Sequence, residues 1–257
     1  MVTAARQFQA GIHEAISAGL RLDLACCDIQ ATARQRQRFQ EAARALIQIP
    51  ASDAGPMGHL LTEAHWRQLI PANDQEEIVL AALSQAIGVY FFPSREWVLT
   101  FCRFIQLLGI RRVLEAGAGR GYLAAALAPL LARLGIAFKA LDNGQGEFES
   151  GLCRHPVVEN LNALLAVQGF RPDLILYAWP PPGQSIGPLC RSLSVRYVLL
   201  VGEPNGGCTG NPADWQSFYC RSMDFLVHYG LGRSGRRRQA ATLFFGAASP
   251  HFREKPV

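Results

Sequence analysis

The feature that most constrains this chain is an apolar run that ends in an acid and opens into a loop with glycines at alternate positions. Residues 113–122 read VLEAGAGRGY, and a helical apolar pattern follows them. Glycine has no Cβ, so a glycine turn between a strand and a helix lets the backbone approach a ligand closely. A turn that served only strand-to-helix packing would account poorly for the three glycines together with Glu115. The pattern therefore predicts a ligand site at the carboxyl end of a strand.

The sequence after Ile110 alternates short apolar runs with helical segments, which is typical of a parallel sheet with crossover helices. We expect strands over residues 112–116, 137–141, 157–158, 173–178 and 197–201, and a closing antiparallel pair over 223–229 and 241–245. This pattern predicts the α/β class.

The sequence before Leu108 has apolar residues at helical spacing and no strand-like run. Ser94 is expected to cap a helix that ends at Gly109, and Asn73 with Glu76 fits a capping box. We therefore divide the chain into a helical N-terminal cap that contacts the substrate, residues 1–92, and a cofactor-binding domain, residues 93–257.

The composition supports one large folded core, because 49% of the 257 residues are hydrophobic and 18% are charged. The seven cysteines form no C-x-x-C pair and are expected to be reduced packing residues. Polar residues interrupt the first apolar stretch, so no secretion leader is expected, and no apolar run approaches the roughly 20 residues of a membrane span. We expect a cytoplasmic protein with no membrane partner. Nothing in the composition predicts an oligomeric state.

The spacing of the glycines separates two classes of nucleotide site. A dinucleotide fingerprint requires G-x-G-x-x-G with the pyrophosphate at the helix N-terminus, whereas this chain has G-x-G-x-G. The run hh-E-x-G-x-G-x-G resembles instead the first motif of the class I S-adenosylmethionine-dependent methyltransferases. The resemblance implies a Rossmann-like, seven-stranded, mostly parallel sheet with an antiparallel last strand and S-adenosyl-L-methionine as cofactor. It also implies that the cofactor contacts Glu115, Ala116, Gly117, Gly119, Gly121 and Tyr122.

Further polar residues follow the second and third strands of the predicted sheet. Asp142, with Asn143 beside it, stands where an acid accepts hydrogen bonds from both ribose hydroxyls. The resemblance implies that Glu159 contacts the adenine, although an acid facing a helix dipole would occupy the same place. In this family the loop backs onto the cationic ammonium and sulfonium, which suits a carboxylate at Glu115.

The acceptor side of the site is expected after the fourth and fifth strands and in the cap. Trp179 precedes three prolines where amino-group methyltransferases carry N-P-P-Y, and it can face the sulfonium through a cation–π contact or contact the substrate. Glu203, at the base of a glycine-rich loop, and His155 are candidate catalytic groups, and Glu203 is also a candidate substrate contact. Tyr90 and Phe91 are candidate substrate contacts from the cap. We expect a small-molecule acceptor with an O, N, S or C nucleophile.

Three other functions remain open alternatives. An NAD(P)-dependent oxidoreductase would use the same glycine loop. An α/β-hydrolase would use Gly183-Gln184-Ser185-Ile186-Gly187, a G-x-S-x-G match, although the prolines on either side interrupt the required strand and helix. A nucleic-acid methyltransferase would use the net charge of +5 and the arginines between residues 233 and 238, which are more typical of a solvated turn. The six histidines have no metal-ligand spacing, so no metal is expected.

Overall fold

The computed structural model describes residues 21–23, 28–30, 33–50, 57–70, 76–144, 154–207, 209–227 and 239–255. Its strands are β1 Arg21–Asp23, β2 Asp28–Gln30, β3 Arg112–Ala116, β4 Ala137–Asp142, β5 Val158–Asn160, β6 Leu174–Ala178, β7 Tyr197–Gly202, β8 Cys220–Ser222 and β9 Ala240–Phe245. Its helices are α1 Ala33–Leu46, α2 Glu63–Leu69, α3 Glu76–Ile87, α4 Arg95–Leu107, α5 Ala124–Arg133, α6 Ala163–Phe170, α7 Gly187–Cys190, α8 Pro212–Ser217 and α9 Asp224–Val227.

Seven strands form one sheet in the order β5-β4-β3-β6-β7-β9-β8. Strands β3 to β7 are parallel, and β9 is antiparallel to both of its neighbours. The chain runs outward from β3 to β5 and then returns to β6 on the other side of β3. Ligands bind at such a reversal in open α/β sheets, outside the carboxyl ends of the strands. The fold is the predicted Rossmann-like sheet, and the glycine loop after β3 lies at the reversal.

The alternation of side chains along each strand divides the core between the two faces of the sheet. On β3, Val113 belongs to the apolar cluster on the face covered by α4 and α5, whereas Leu114 and Ala116 belong to the cluster on the opposite face. Glu115 and Val113 therefore point to the same face, because they are two residues apart.

The first apolar cluster continues without a break into the cap. It joins Trp66 of α2 and Leu83 of α3 to Trp97 of α4 and Leu199 of β7. The described part of the cap thus shares its core with the sheet, and the boundary between residues 92 and 93 remains a prediction. No helix among the described residues combines the length and the apolar character needed to cross a membrane.

Helix ends follow the expected signals where they are described. The Ser94 hydroxyl accepts a hydrogen bond from the Trp97 amide at 3.0 Å, and α4 ends at Leu107, whose C-cap residue Leu108 is followed by Gly109 with φ +64°. Gly88, with φ +64°, likewise ends α3. Asn73 of the expected capping box lies outside the described residues.

Two secondary-structure predictions are wrong. The strand expected over 223–229 lies earlier, as β8, and α9 begins at Asp224, an acid in the first turn that faces the positive end of the helix dipole. β1 and β2 form an antiparallel hairpin in a region where no strand was expected. Each has only three residues, which is too short to show an alternating pattern.

Candidate active site

The glycine loop after β3 adopts a backbone that side chains rarely allow. Gly117, Gly119 and Gly121 have φ values of +62°, +54° and +83°. A Cβ at Gly117 would lie 2.7 Å from Tyr177 Cε2, and one at Gly121 would lie 2.7 Å from Val158 Cγ2. Both contacts are far closer than van der Waals distance, so these two glycines are required by packing as well as by φ.

Three amide groups of the loop are already used within the protein. The Ala118 N–H donates to the Leu141 carbonyl at 2.9 Å, and the Gly121 N–H donates to the Ala118 carbonyl at 2.9 Å. The Gly119 N–H donates to Asp142 Oδ2 at 2.8 Å. A pyrophosphate bound at a helix N-terminus needs such amides as donors, and these three are occupied.

Glu115 is a buried acid at the base of the loop. Glu115 is 3% exposed, and its Oε2 atom is buried without a hydrogen-bond partner among the described residues. Burial, with a smaller contribution from the negative charge of Asp142, raises the pKa of Glu115 to about 8. A buried carboxylate without a partner is costly, so this position is set up to receive a positive charge or a hydrogen-bond donor.

Asp142 holds the glycine loop while remaining partly accessible. Its Oδ2 accepts the Gly119 amide, and its Oδ1 accepts the Gly144 amide at 2.9 Å. Arg154 Nη2 lies 3.3 Å from Oδ1, and the Asp142 side chain is 18% exposed. Asn143 follows it as an exposed residue. An oxygen of a carboxylate has more than one acceptor site, so ribose binding at Asp142 stays a prediction that this geometry allows.

Tyr177, which sequence reasoning did not single out, lies against the loop. It is the penultimate residue of β6 and pairs in register with Ala116 of β3, and its ring contacts the space beside Gly117. Burial and the nearby charge of Asp142 raise the pKa of Tyr177 to about 12. The sequence feature that could have identified Tyr177 as a site residue is its position near the end of β6, the strand that pairs with β3 beside the glycine loop.

Glu159 forms an ion pair on the edge strand of the sheet. It is the middle residue of β5, and Asn160 is the residue that pairs with Asp142 at the strand end. Both carboxylate oxygens of Glu159 bind Lys139 Nζ, at 2.8 and 2.9 Å. The strand expected over 157–158 runs over Val158–Asn160, so Glu159 lies within the strand and does not follow it. An adenine contact by Glu159 would require this ion pair to open.

Trp179 follows β6 in a strained backbone conformation, with φ +56°. Its amide donates a hydrogen bond to the Val201 carbonyl at 2.6 Å. The proline loop that follows is held by Gly210, whose amide donates to the Pro180 carbonyl at 3.1 Å and whose carbonyl accepts from the Gly183 amide at 2.8 Å. Bulky residues rarely occupy this region, and such residues cluster at ligand sites. The Trp179 side chain is partly buried at the edge where β6 and β7 end.

Glu203 is held beneath its own loop after β7. The residue is 6% exposed, and its amide donates to Thr209 Oγ1 at 2.7 Å. A Cβ on Gly207 would overlap Glu203 Oε2, so the glycine lets the loop close over the carboxylate. The acid lies at the expected edge, and its catalytic or substrate-binding role stays a prediction.

The remaining predicted residues have different surroundings. Phe91 is 5% exposed and packs edge-on against Trp97 with ring centroids 4.8 Å apart, so it belongs to the core in this structure. Tyr90 is partly buried, and burial raises its pKa. The His155 amide donates to the Arg120 carbonyl at 3.0 Å, and its Nδ1 accepts the Val157 amide at 3.2 Å, which brings His155 beside the glycine loop.

The geometry around Ser185 does not form a nucleophile elbow. Its hydroxyl donates to Asp214 Oδ1 at 2.7 Å and accepts the Gly187 amide at 3.0 Å. The other oxygen of Asp214 accepts the Ile186 amide at 2.9 Å. Ser185 therefore stabilises a turn before the short helix α7, whereas an elbow serine follows a strand directly. Among the described residues, no group of three His, Cys, Asp or Glu side chains is arranged to hold a metal.

No known family model matches this chain, and no curated protein matches it. Among solved structures, it is similar to the CMeT domain of the citrinin polyketide synthase, with 14% identity, a TM-score of 0.38, and 97% of this chain and 90% of that chain covered. It is also similar to human N-acetylserotonin methyltransferase in complex with SAM, with 10% identity, a TM-score of 0.36, and 93% of this chain and 70% of that chain covered.

Proposed function

We propose that this protein binds S-adenosyl-L-methionine and transfers its methyl group to a small-molecule acceptor. The observation that carries the proposal is the buried Glu115 carboxylate, whose Oε2 has no partner among the described residues, beside a loop of three glycines at positive φ. The methionine part of this cofactor carries an ammonium and a sulfonium. An opposite charge close to a buried carboxylate stabilises its ionised form.

The described residues fit this cofactor at three points. Glu115 would meet the ammonium, Asp142 would accept from the ribose, and Gly117 and Gly119 would let the ligand approach the backbone. The bound cofactor supplies an activated methyl group for in-line displacement by the acceptor. The protein's contribution is to hold acceptor and methyl group at attack distance and to exclude water, which can supply much of the rate without a general base.

The acceptor subsite is proposed at the ends of β6 and β7. Trp179 and Glu203 lie on neighbouring strand ends, and Tyr90 would approach from the cap. Trp179 offers a rigid aromatic surface, because its backbone is fixed by Val201 and by the prolines that follow. A cytoplasmic location is supported by the free cysteines Cys102, Cys190 and Cys220 among the described residues, because free cysteines are usual in a reducing compartment.

A dinucleotide is disfavoured by the same geometry. Its pyrophosphate would place negative charge near Glu115, and the amides of Ala118, Gly119 and Gly121 are already bonded within the protein. Oxidoreductase activity would thus require the loop to rearrange.

Titration calorimetry with S-adenosylhomocysteine tests the proposal. The ligand retains the ammonium, so near pH 7 its binding should ionise Glu115 and release close to one proton, measured in two buffers of different ionisation enthalpy. Glu115→Gln should weaken binding and abolish the proton release. The matched control, Glu159→Gln, should change neither. Failure to bind this ligand, or tighter binding of a nicotinamide dinucleotide, would overturn the proposal.

A further inference from the structure

The cap contacts the glycine loop through the end of helix α3. Arg120, between the second and third glycines, donates from Nη1 to the Ile87 carbonyl at 2.8 Å. Ile87 is the last residue of α3, where carbonyl groups lack an intrahelical donor. A guanidinium at this end also faces the negative end of the helix dipole. The contact therefore stabilises the end of α3 and fixes the loop at the same time.

A second contact joins the cap to the start of helix α5. His59 Nε2 lies 2.9 Å from the Tyr122 carbonyl oxygen. In a regular helix the Ala126 amide would donate to this carbonyl, but it donates to the Leu123 carbonyl at 3.0 Å. A carbonyl oxygen accepts only, so His59 Nε2 carries the proton and Nδ1 has a lone pair in the neutral ring.

The surroundings of His59 favour the neutral ring. Nδ1 is buried without a hydrogen-bond partner among the described residues, so a proton added there would be a buried donor with no acceptor. The ring is close to the positive charge of Arg95 of α4 and to His155 before β5, which is positive when protonated. The Tyr122 ring packs edge-on against the His59 ring, with ring centroids 5.1 Å apart. Burial lowers the pKa of His59, the hydrogen bond to Tyr122 opposes this, and the two cations lower it further.

We propose that His59 and Arg120 are positioning residues that hold the glycine loop in its cofactor-binding shape from the cap, and that His59 does so only as a neutral imidazole. The proposal rests on the proposed function for the identity of the cofactor, but the contacts themselves do not depend on it. A histidine whose pKa is lowered on folding contributes stability above its usual pKa and loses it as the pH falls. The loop should therefore loosen in acid, before the protein as a whole unfolds.

Hydrogen exchange of amides 117–122 in the ligand-free, full-length protein tests this inference, with protection factors corrected for intrinsic rates. His59→Gln keeps a donor where Nε2 stands and does not titrate. His59→Leu removes the donor, and His65→Gln is the matched control, since His65 is exposed on α2. Wild type should lose about tenfold protection between pH 7.5 and pH 5, as expected for one hydrogen bond. His59→Gln should keep its protection at both pH values, and His59→Leu should lack it at both.

The same variants are then titrated with S-adenosylhomocysteine at pH 7.5. His59→Gln should bind as wild type does, and Arg120→Gln should bind about tenfold more weakly, as expected for the loss of a charge-assisted hydrogen bond. An equal pH response of loop exchange in wild type and His59→Gln would overturn the inference, as would full protection in His59→Leu. Absence of binding in every variant, with the exchange pattern as expected, would overturn the proposed function and leave the positioning role standing.

Discussion

The two halves of the carboxyl edge of the sheet are built in different ways. At β3 and β4 the loop holds three glycines at positive φ. Burial, together with the nearby charge of Asp142, raises the pKa of Glu115. At β6 and β7 the loops are held mainly by backbone hydrogen bonds to each other, with Trp179 in a strained conformation and the acid Glu203 buried beneath its own loop. The first half contains a buried carboxyl group, Glu115, whose Oε2 has no hydrogen-bond partner among the described residues.

This difference shows why the chain indicates its cofactor more clearly than its acceptor. A buried carboxyl group with an unpartnered oxygen specifies the kind of group that binds beside it, because the cost of ionising the carboxyl is removed only by a cation or a hydrogen-bond donor. Backbone contacts and an aromatic ring specify a shape and a rigid surface, which many acceptors would fit.

The unbalanced charge of Glu115 should lower the stability of the ligand-free protein at high pH. Its pKa is raised from 4.5 to about 8 on folding, so stability should fall as the pH rises through this window. The effect is on the order of 1.4 kcal/mol for each pH unit. Glu115→Gln should be more stable than wild type at pH 8.5 and similar to it near pH 4.5 in urea unfolding. A variant no more stable at high pH would show that the charge is already balanced.

The glycines of the loop should differ in their tolerance of a methyl group. Gly121→Ala places a Cβ against Val158 and His155, whereas Gly119→Ala meets no atom within 4 Å. Both variants bear the left-handed backbone cost of roughly 1–2 kcal/mol, and the clash adds roughly 1–3 kcal/mol to the first alone. Chemical denaturation and cofactor titration should therefore rank Gly121→Ala below Gly119→Ala. Equal losses would mean that backbone conformation, not packing, decides the site.

In the proposed site, Trp179 should distinguish S-adenosylmethionine from its demethylated product, S-adenosylhomocysteine. A cation–π contact with the sulfonium contributes roughly 0.5–1 kcal/mol, and S-adenosylhomocysteine lacks that charge. Trp179→Leu should thus weaken S-adenosylmethionine binding a few-fold relative to S-adenosylhomocysteine, and Trp179→Phe should largely preserve the ratio. If both ligands weaken equally, Trp179 serves the acceptor or the loop and does not face the sulfonium.

Glu159 should contribute least. Its ion pair with Lys139 is solvent-exposed, with side chains 48% and 35% accessible, and such pairs contribute about 0–1 kcal/mol. Glu159→Gln should leave cofactor affinity unchanged and shift the unfolding free energy only slightly. A tenfold loss of affinity would show that Glu159 leaves Lys139 to contact the ligand, as the sequence first suggested.

Strands and loop could be predicted because their signals are local. The strand over residues 112–116 has the predicted bounds, and Glu115 and the three glycines lie together within residues 115–121 of the sequence. The Lys139 partner of Glu159 could not be predicted, because it lies 20 residues away and the pairing of strands β4 and β5 brings the two side chains together. Phe91 could not be assigned either, since an aromatic residue before a helix looks the same whether it faces a ligand or Trp97.

The sequence alone determined the α/β class, the position of the glycine loop and the acid at its base, because side-chain alternation and glycine backbone freedom act over a few residues. Only the tertiary structure decided which groups meet there. Tyr177 reaches Gly117 through strand pairing, and His59 reaches Tyr122 across 63 residues of chain. Such contacts depend on the pairing register of the strands and on the crossover connections between them, which no short sequence pattern determines. The unpartnered Oε2 of Glu115 and its raised pKa are therefore seen only in the folded protein.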